Sequence, residues 1–259
     1  MVKILKVIDF GKLFSRAEGQ KKEKEYEILM IDDSRLDDVM KLQDLIYSKL
    51  QDKEIFATDT KADYLKDMEQ GGFVLGVYVD KKLVSYRYVS FPGLNDKNLG
   101  LDLGMDTNAL LHSANLETTV VHPDFRGNKL QKLTLDHAVE MIKDKGYYHL
   151  FSTVSPKNIF SLANVMSAEL KVKALKRKYG TMPDNRDGKW RFILHRDLTQ
   201  EVCSDYSKII TLSLTDFNSQ VKALKGGYIG HQVNRLDQRI VYAEDNSCLL
   251  GFSEGGLSL

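Results

Sequence analysis

The sequence predicts an α/β (α+β) fold, and three observations carry that expectation. Stretches of alternating or β-branched apolar residues take turns with stretches whose apolar residues recur at helical spacing, so both kinds of element are expected along most of the chain. The 259 residues are 42% apolar and 28% charged, the profile of an ordinary soluble globular protein long enough to bury one full core. Only two cysteines occur, Cys203 and Cys248, which excludes a disulfide scaffold or a Cys-rich zinc module and fits a reducing, cytoplasmic compartment. A net charge of +1 supplies no broad field, so neither nucleic acid nor a membrane is expected as a partner. No apolar run approaches the roughly 20 residues of a spanning helix. The first nine residues lack the apolar length and the cleavage site of a signal peptide.

The elements follow in order. Val2, Ile4, Val7 and Ile8 alternate loosely and predict a strand within residues 1–10. Residues 16–25 are highly charged and read as a hairpin or linker, and residues 26–31 as a first core strand. Asp32, Asp33 and Ser34 offer an N-cap to a helix through Leu36, Val39, Met40, Ile46 and Leu50. A second helix is expected over residues 60–69, stopped by Gly71 and Gly72. Residues 73–91 read as a β-hairpin around Asp80, Lys81 and Lys82. Residues 92–113 read as a long irregular segment, and segments of that length inside a domain tend to be functional or disordered. A β-branched strand over 115–121 is broken by Pro123, and Leu130, Leu133, Ala138, Met141 and Ile142 mark an amphipathic helix. A strand at 148–154, a helix at about 157–169, and strands at 171–179 and 189–195 around a Pro183 turn come next. Beyond Asp197 the pattern predicts a strand at 208–214, a short helix to Leu224, a glycine turn at 226–230 and a strand at 239–243. The Gly- and Ser-rich tail from Asn246 is expected to be loosely held.

The chemically informative stretch is residues 116–131, a strand, a proline-stopped turn, a basic loop and a helix start. A loop entering a helix N-terminus presents free backbone N–H groups with the positive end of the helix dipole behind them, which makes an anion site. Arg126 and Lys129 add two positive charges, and a pyrophosphate is the natural guest. A plain connection with its basic residues in solvent is the alternative on these grounds alone.

Val121, Pro123, Phe125, Arg126 and Gly127 together resemble motif A of the GNAT family of N-acetyltransferases, Val-x-Pro-x-(Tyr/Phe)-Arg-Gly-x-Gly-x-(Gly/Ala). Lys129 and Gln131 stand where the family carries a loop glycine and a small residue. A downstream echo, Asn158 followed by Ser161, resembles the family's Asn-x-x-(Ala/Ser) helix start. The order of elements from Tyr26 to Asp197 is also similar. The resemblance implies a mixed, mostly antiparallel central sheet flanked by helices, with acetyl-CoA as donor, an amine as acceptor and no metal. It implies a strand at 117–121 splayed from the strand at 148–154, with the pantetheine arm bonded to main chain between Thr119, Val120 and Val121. The pyrophosphate would lie on the backbone amides of Gly127, Asn128, Lys129, Leu130 and Gln131, beside Arg126, with Asn158 and Ser161 on the far side of the cleft. Asn158 could equally be a simple helix cap.

Acetyl transfer needs a proton acceptor for the amine and a proton source for the departing thiolate. Glu117 matches a strand glutamate that some members use as base, and His122 is the second catalytic candidate, with the intrinsic pKa for the task. His112 is a remoter one. The usual tyrosine acid falls on Val165, leaving Tyr179, another donor, or a protein that binds acyl-CoA or a partner without catalysis. The acceptor wall is expected in the 50–60 connection and the 92–114 segment, whose Asp96, Asp102 and Asp106 would suit a cationic amine. The organisation expected is an N-terminal extension over 1–25, an acetyltransferase domain over 26–198 and a C-terminal extension over 199–259. For that last part the expected roles are completing the sheet, covering an edge or mediating a homodimer.

Overall fold

The computed structural model describes residues 6–182, 187–201 and 206–244. Val2, Ile4, both cysteines, Pro183 and the Gly/Ser-rich tail therefore lie outside the described residues. Among the described residues eleven strands form one sheet: β1 (Val7–Ser15), β2 (Lys22–Ile31), β3 (Phe73–Val79), β4 (Lys82–Ser90), β5 (Ser113–Val121), β6 (His149–Val154), β7 (Lys171–Lys178), β8 (Lys189–Asp197), β9 (Ser207–Ser213), β10 (Tyr228–Asn234) and β11 (Arg239–Glu244). Their order across the sheet is β1-β2-β3-β4-β5-β6-β8-β7-β10-β11-β9. Every neighbouring pair is antiparallel except β5 with β6. The helices are α1 (Leu36–Ser48), α2 (Lys61–Glu69), α3 (Thr107–Leu111), α4 (Leu130–Asp144), α5 (Ile159–Met166) and α6 (Phe217–Lys225). Among the described residues no helix is long and apolar enough to cross a membrane.

Alternation along β3 explains how the layers pack. All seven of its residues are buried. Phe73, Leu75, Val77 and Val79 join a cluster with Leu130, Leu135, Ala138 and Ile142 of α4, whereas Val74 and Tyr78 meet Leu36, Val39, Leu42 and Ile46 of α1 and Tyr64 of α2 on the other face. Successive side chains of a strand point to opposite faces, so a strand covered on both sides reads as a continuous apolar run. The α4 cluster continues through Leu162, Val165 and Met166 of α5 to Ile240 and Tyr242 of β11.

Of the two readings of residues 16–25, hairpin and linker, the hairpin is the one formed: Lys22 to Glu25 pair with β1, and cross-strand ions such as Lys12 and Glu23, 2.8 Å apart, suit its exposed face. Two other expectations need correction. The segment 92–113 is not wholly irregular: Asn98 Oδ1 accepts from Gly100 N to open a short 3₁₀ turn, and Asp106 Oδ1 accepts from Ala109 N to open α3, both at 2.8 Å. The glycine turn at 226–230 shrinks to Gly226 and Gly227, and Tyr228 already belongs to β10.

Gly230 is a strand residue for a steric reason. It faces Val172 of β7, the register pair that joins the C-terminal strands to the rest of the sheet. A Cβ there would lie 2.9 Å from Val172 Cβ and 2.8 Å from Ile240 Cδ1. Gly230→Ala is expected to lower stability by about 1–3 kcal/mol in a urea titration, the range for overpacking a tight contact. An unchanged midpoint would mean that the seam between β7 and β10 is loose.

Candidate active site

The site grows from one interruption in the sheet. β5 and β6 pair in parallel only from Ser113 with His149 to Asn115 with Phe151. Ser152 Oγ still donates to Leu116 O at 3.1 Å, and beyond it the strands have no further paired positions. Residues 117–121 thus have β4 on one side and an open edge on the other. β5 also carries one residue more than β4 between the pairs Arg87 with Thr119 and Val89 with Leu116. Such a bulge breaks alternation and re-aims side chains. Here Glu117, Thr118 and Thr119 all line one cavity.

Two cavities meet at this edge and share Ile55, Phe56, Thr119, Asn158 and Ser161. The first, of about 840 Å³, runs past Thr119, Val120 and Val121 to Arg126, Gly127, Lys129, Leu130 and Gln131, with α5 as the opposite wall. Its size falls within the range of small-molecule sites. Lys129 takes a left-handed conformation with φ 56°, where the resembling motif has glycine, and caps α4 without a side-chain bond to its amides. The first intrahelical bond runs from Leu133 N to Lys129 O, so the amides of Leu130 and Gln131 have no partner within the helix. The Arg126 and Lys129 side chains make no hydrogen bond or ion pair among the described residues.

The N-terminal strand braces this loop. Asn128 is turned away from the cavity: its Nδ2 donates to Phe14 O at 2.7 Å and to Phe125 O at 2.9 Å, and its Oδ1 accepts from Phe14 N at 2.9 Å. Arg16 N donates to Asp124 O at 2.7 Å, and the Arg16 guanidinium donates to Arg126 O. The Asn128 side chain is thus a structural clasp that fixes the loop whose backbone amides were expected to meet the pyrophosphate. Asn158 Oδ1 accepts from Ser161 N at 3.1 Å and caps α5, while its Nδ2 makes no hydrogen bond among the described residues and the residue lines both cavities.

The second cavity, of about 450 Å³, is lined by Asp59, Asp63, Asp67, Asp96 and Glu117 together with Lys97, Lys178, Arg191 and Tyr179. Burial pushes the Glu117 carboxyl up to about 7, against the Ser90 hydroxyl that donates to its Oε1 at 2.7 Å; the negative charge of Asp59 adds to the rise. Asp59 is likewise pushed up by burial, to about 6, although Thr118 Oγ1 donates to its Oδ2 at 2.6 Å. Gln43 pairs with both backbone groups of Asp59, at 2.9 and 3.2 Å, and so fixes the loop before α2. Tyr179 is 50% exposed because it lines the open cavity; its hydroxyl bonds to Thr153 Oγ1 at 2.7 Å and is pushed up to about 12 by burial and by Glu117. Val165 is packed in the core at the edge of this cavity.

The remaining candidates lie elsewhere. His122 lines neither cavity; its Nδ1 accepts from Asp124 N at 3.3 Å, and burial pushes its pKa down. His112 stacks on Tyr148 and also lies off both cavities. Asp102 pairs with Lys176 and Lys178, and Asp106 caps α3, so of the three expected acidic residues only Asp96 reaches the acceptor wall. Sequence reasoning did not single out Asp59. It named the connection that holds it, and the Thr60–Asp63 capping box marks where that connection ends.

An open strand edge, a basic loop before α4 and an α5 wall across the cleft make this the fold of the GNAT N-acetyltransferases. The solved structures agree. The chain superposes on an N-acetyltransferase from Staphylococcus aureus Mu50 with a TM-score of 0.51 at 12% identity, over 67% of this chain and 98% of that one. A ribosomal-protein-alanine N-acetyltransferase from Brucella melitensis matches with a TM-score of 0.50 at 13% identity, over 66% and 99%. A GNAT superfamily phosphinothricin acetyltransferase from Sinorhizobium meliloti, solved with acetyl-CoA, matches with a TM-score of 0.51 at 11% identity, over 69% and 94%. No family model and no curated protein matches the sequence.

Proposed function

We propose that the protein transfers an acetyl group from acetyl-CoA to a primary amine of a small molecule or peptide, by direct transfer in a ternary complex in the cytoplasm. One observation carries this reading: Glu117, its carboxyl pushed up to about 7 by burial, lines the smaller cavity two residues along the open edge of β5 from Thr119, which both cavities share. The donor fits the larger cavity, whose open main-chain edge, free α4 amides and unpaired Arg126 and Lys129 offer what a pantetheine amide and a diphosphate require. When bound, acetyl-CoA supplies an activated acyl carbon and a thiolate leaving group. Asn158 Nδ2 is free to hold a pantetheine carbonyl, and backbone N–H groups near Val121 are positioned to polarise the acyl oxygen.

The chain's own residues then handle protons. Glu117 takes one from the incoming ammonium, directly or through water, leaving the amine lone pair free to attack, and the second amine proton, lost as the amide forms, passes to solvent. Tyr179, neutral below about pH 12, is the donor on the same cavity wall for the departing sulfur, and is recharged from solvent. Asp59, Asp63, Asp67 and Asp96 favour an acceptor that arrives as a cation. Val165, at the position of the usual tyrosine, favours the rival reading of a non-catalytic acyl-CoA-binding or partner-binding module; Tyr179 answers it. The test is thiol release from acetyl-CoA over a panel of primary amines. Amine-dependent release of CoA is the expected result. Binding of CoA without release on any amine would leave the rival reading.

A further inference from the structure

The larger cavity is lined by a further cation that does not belong to the 126–131 loop. Arg235 lines it, although it belongs to the turn between β10 and β11, more than a hundred residues from Arg126. That turn is built to hold still: Asn234 Oδ1 accepts from Leu236 N at 3.0 Å and from Asp237 N at 3.3 Å, and Asn234 Nδ2 donates to Asp237 Oδ2 at 2.5 Å. The Arg235 side chain takes no part in these bonds and makes no hydrogen bond or ion pair among the described residues. Arg239, by contrast, is tied to Thr211 O at 2.9 Å. On the α5 wall of the same cavity the Nδ2 amide of Asn164 is buried without a hydrogen-bond partner. A buried donor left unsatisfied costs about 1–3 kcal/mol, so such a group marks a place where an acceptor binds. Phe160, 73% exposed, presents an aromatic face on the same wall.

A guanidinium and a buried amide N–H both ask for anionic oxygens, and an exposed ring beside them suits a nucleobase. CoA carries two phosphate groups of different kinds, a diphosphate and a 3′-phosphomonoester on the adenosine. With the first assigned to the 126–131 loop under the proposed function, Arg235 and Asn164 are left for the second. We propose that Arg235 and Asn164 bind the 3′-phosphate of CoA, so that the C-terminal hairpin reads which form of the donor enters the cleft. The proposal rests on the reading of the cleft as a CoA site. It gives residues 206–244 a role in the active site, through the docking of β10 on β7 and α5.

Calorimetric binding of CoA and 3′-dephospho-CoA to the full chain tests it. The expected result is that wild type binds CoA ten- to a hundredfold more tightly, the scale of one charge-assisted bond pair. Arg235→Ala should remove most of that preference by weakening CoA while leaving 3′-dephospho-CoA unchanged, and Arg235→Glu should reverse it. Arg235 is exposed on a turn, so these variants keep the fold. Phe160→Ala should weaken both ligands by the same factor. Equal affinity of wild type for the two ligands, or an Arg235→Ala ratio unchanged from wild type, would overturn the proposal and leave the cleft reading standing. Failure of wild type to bind either ligand would overturn both.

Discussion

Replacing Glu117 by Gln is expected to lower kcat/KM for amine acetylation by about 10²–10⁴, the contribution of a positioned general base. The substitution keeps the shape and the bond from Ser90 Oγ, so the loss reports proton transfer, with no change in packing. The pH profile is the sharper readout. Burial holds the Glu117 carboxyl at about 7, so wild-type kcat/KM should rise with pH and level off above that value. The glutamine variant should lose this limb. A variant with wild-type activity would remove Glu117 from the mechanism and move the base to Asp59, whose own limb would lie nearer pH 6. Stability has the opposite sign. The native carboxyl binds a proton more tightly than the ordinary 4.5, so between pH 4.5 and 7 the native state holds the extra proton and stability falls as pH rises. The cost at neutral pH is no more than about 3 kcal/mol, and Glu117→Gln should flatten that part of the stability curve.

Acetyl-CoA at a hundredfold excess over its dissociation constant should stabilise the native protein by about 2.7 kcal/mol. For a chain of this size that is a rise in Tm of roughly 5–10 °C. Gln131→Trp should abolish the rise. Gln131 lines the larger cavity, and its carbonyl accepts from Arg87 Nη2 at 2.9 Å, a bond the substitution leaves in place. An indole directed from the first turn of α4 would fill the cleft where the diphosphate is proposed to lie. A rise retained in Gln131→Trp would place the ligand elsewhere. No rise in wild type would mean that Lys129 and Gln131 close the site against the donor, and the enzyme reading would fall with it.

Both experiments address positions the sequence already marked. Residues 116–131 could be read as strand, turn and anion-binding loop because each step is local: β-branched residues, a proline, a basic loop, a helical pattern. Glu117 was reached by its spacing from Pro123 within the resembling motif. Asp59 was not legible. Its chemistry comes from Gln43 on α1 and Thr118 on β5, which meet it only when the sheet is formed. His122 has the right intrinsic pKa, but the turn after Val121 spends its ring on capping Asp124. Tyr179 could be named as available, yet its place on the cavity wall depends on β7 lying beside β8 and across the cleft from β5.

The extensions divide along the same line. Alternation predicted a strand near the N-terminus, but nothing local said that it would brace the 126–128 loop through Phe14, Arg16 and Asn128. Gly230 reads as a turn by composition; only the approach of Val172 and Ile240 makes it a strand residue. What the sequence determined by itself were the elements and the basic loop that leads into α4, because backbone propensity, capping and periodicity act over a few residues. What the tertiary structure decided was which carboxylates share a cavity, which cations remain unpaired and which strand edge stays open. Those follow from side chains brought together across long separations, where burial and neighbouring charge, absent from any short window, set the chemistry.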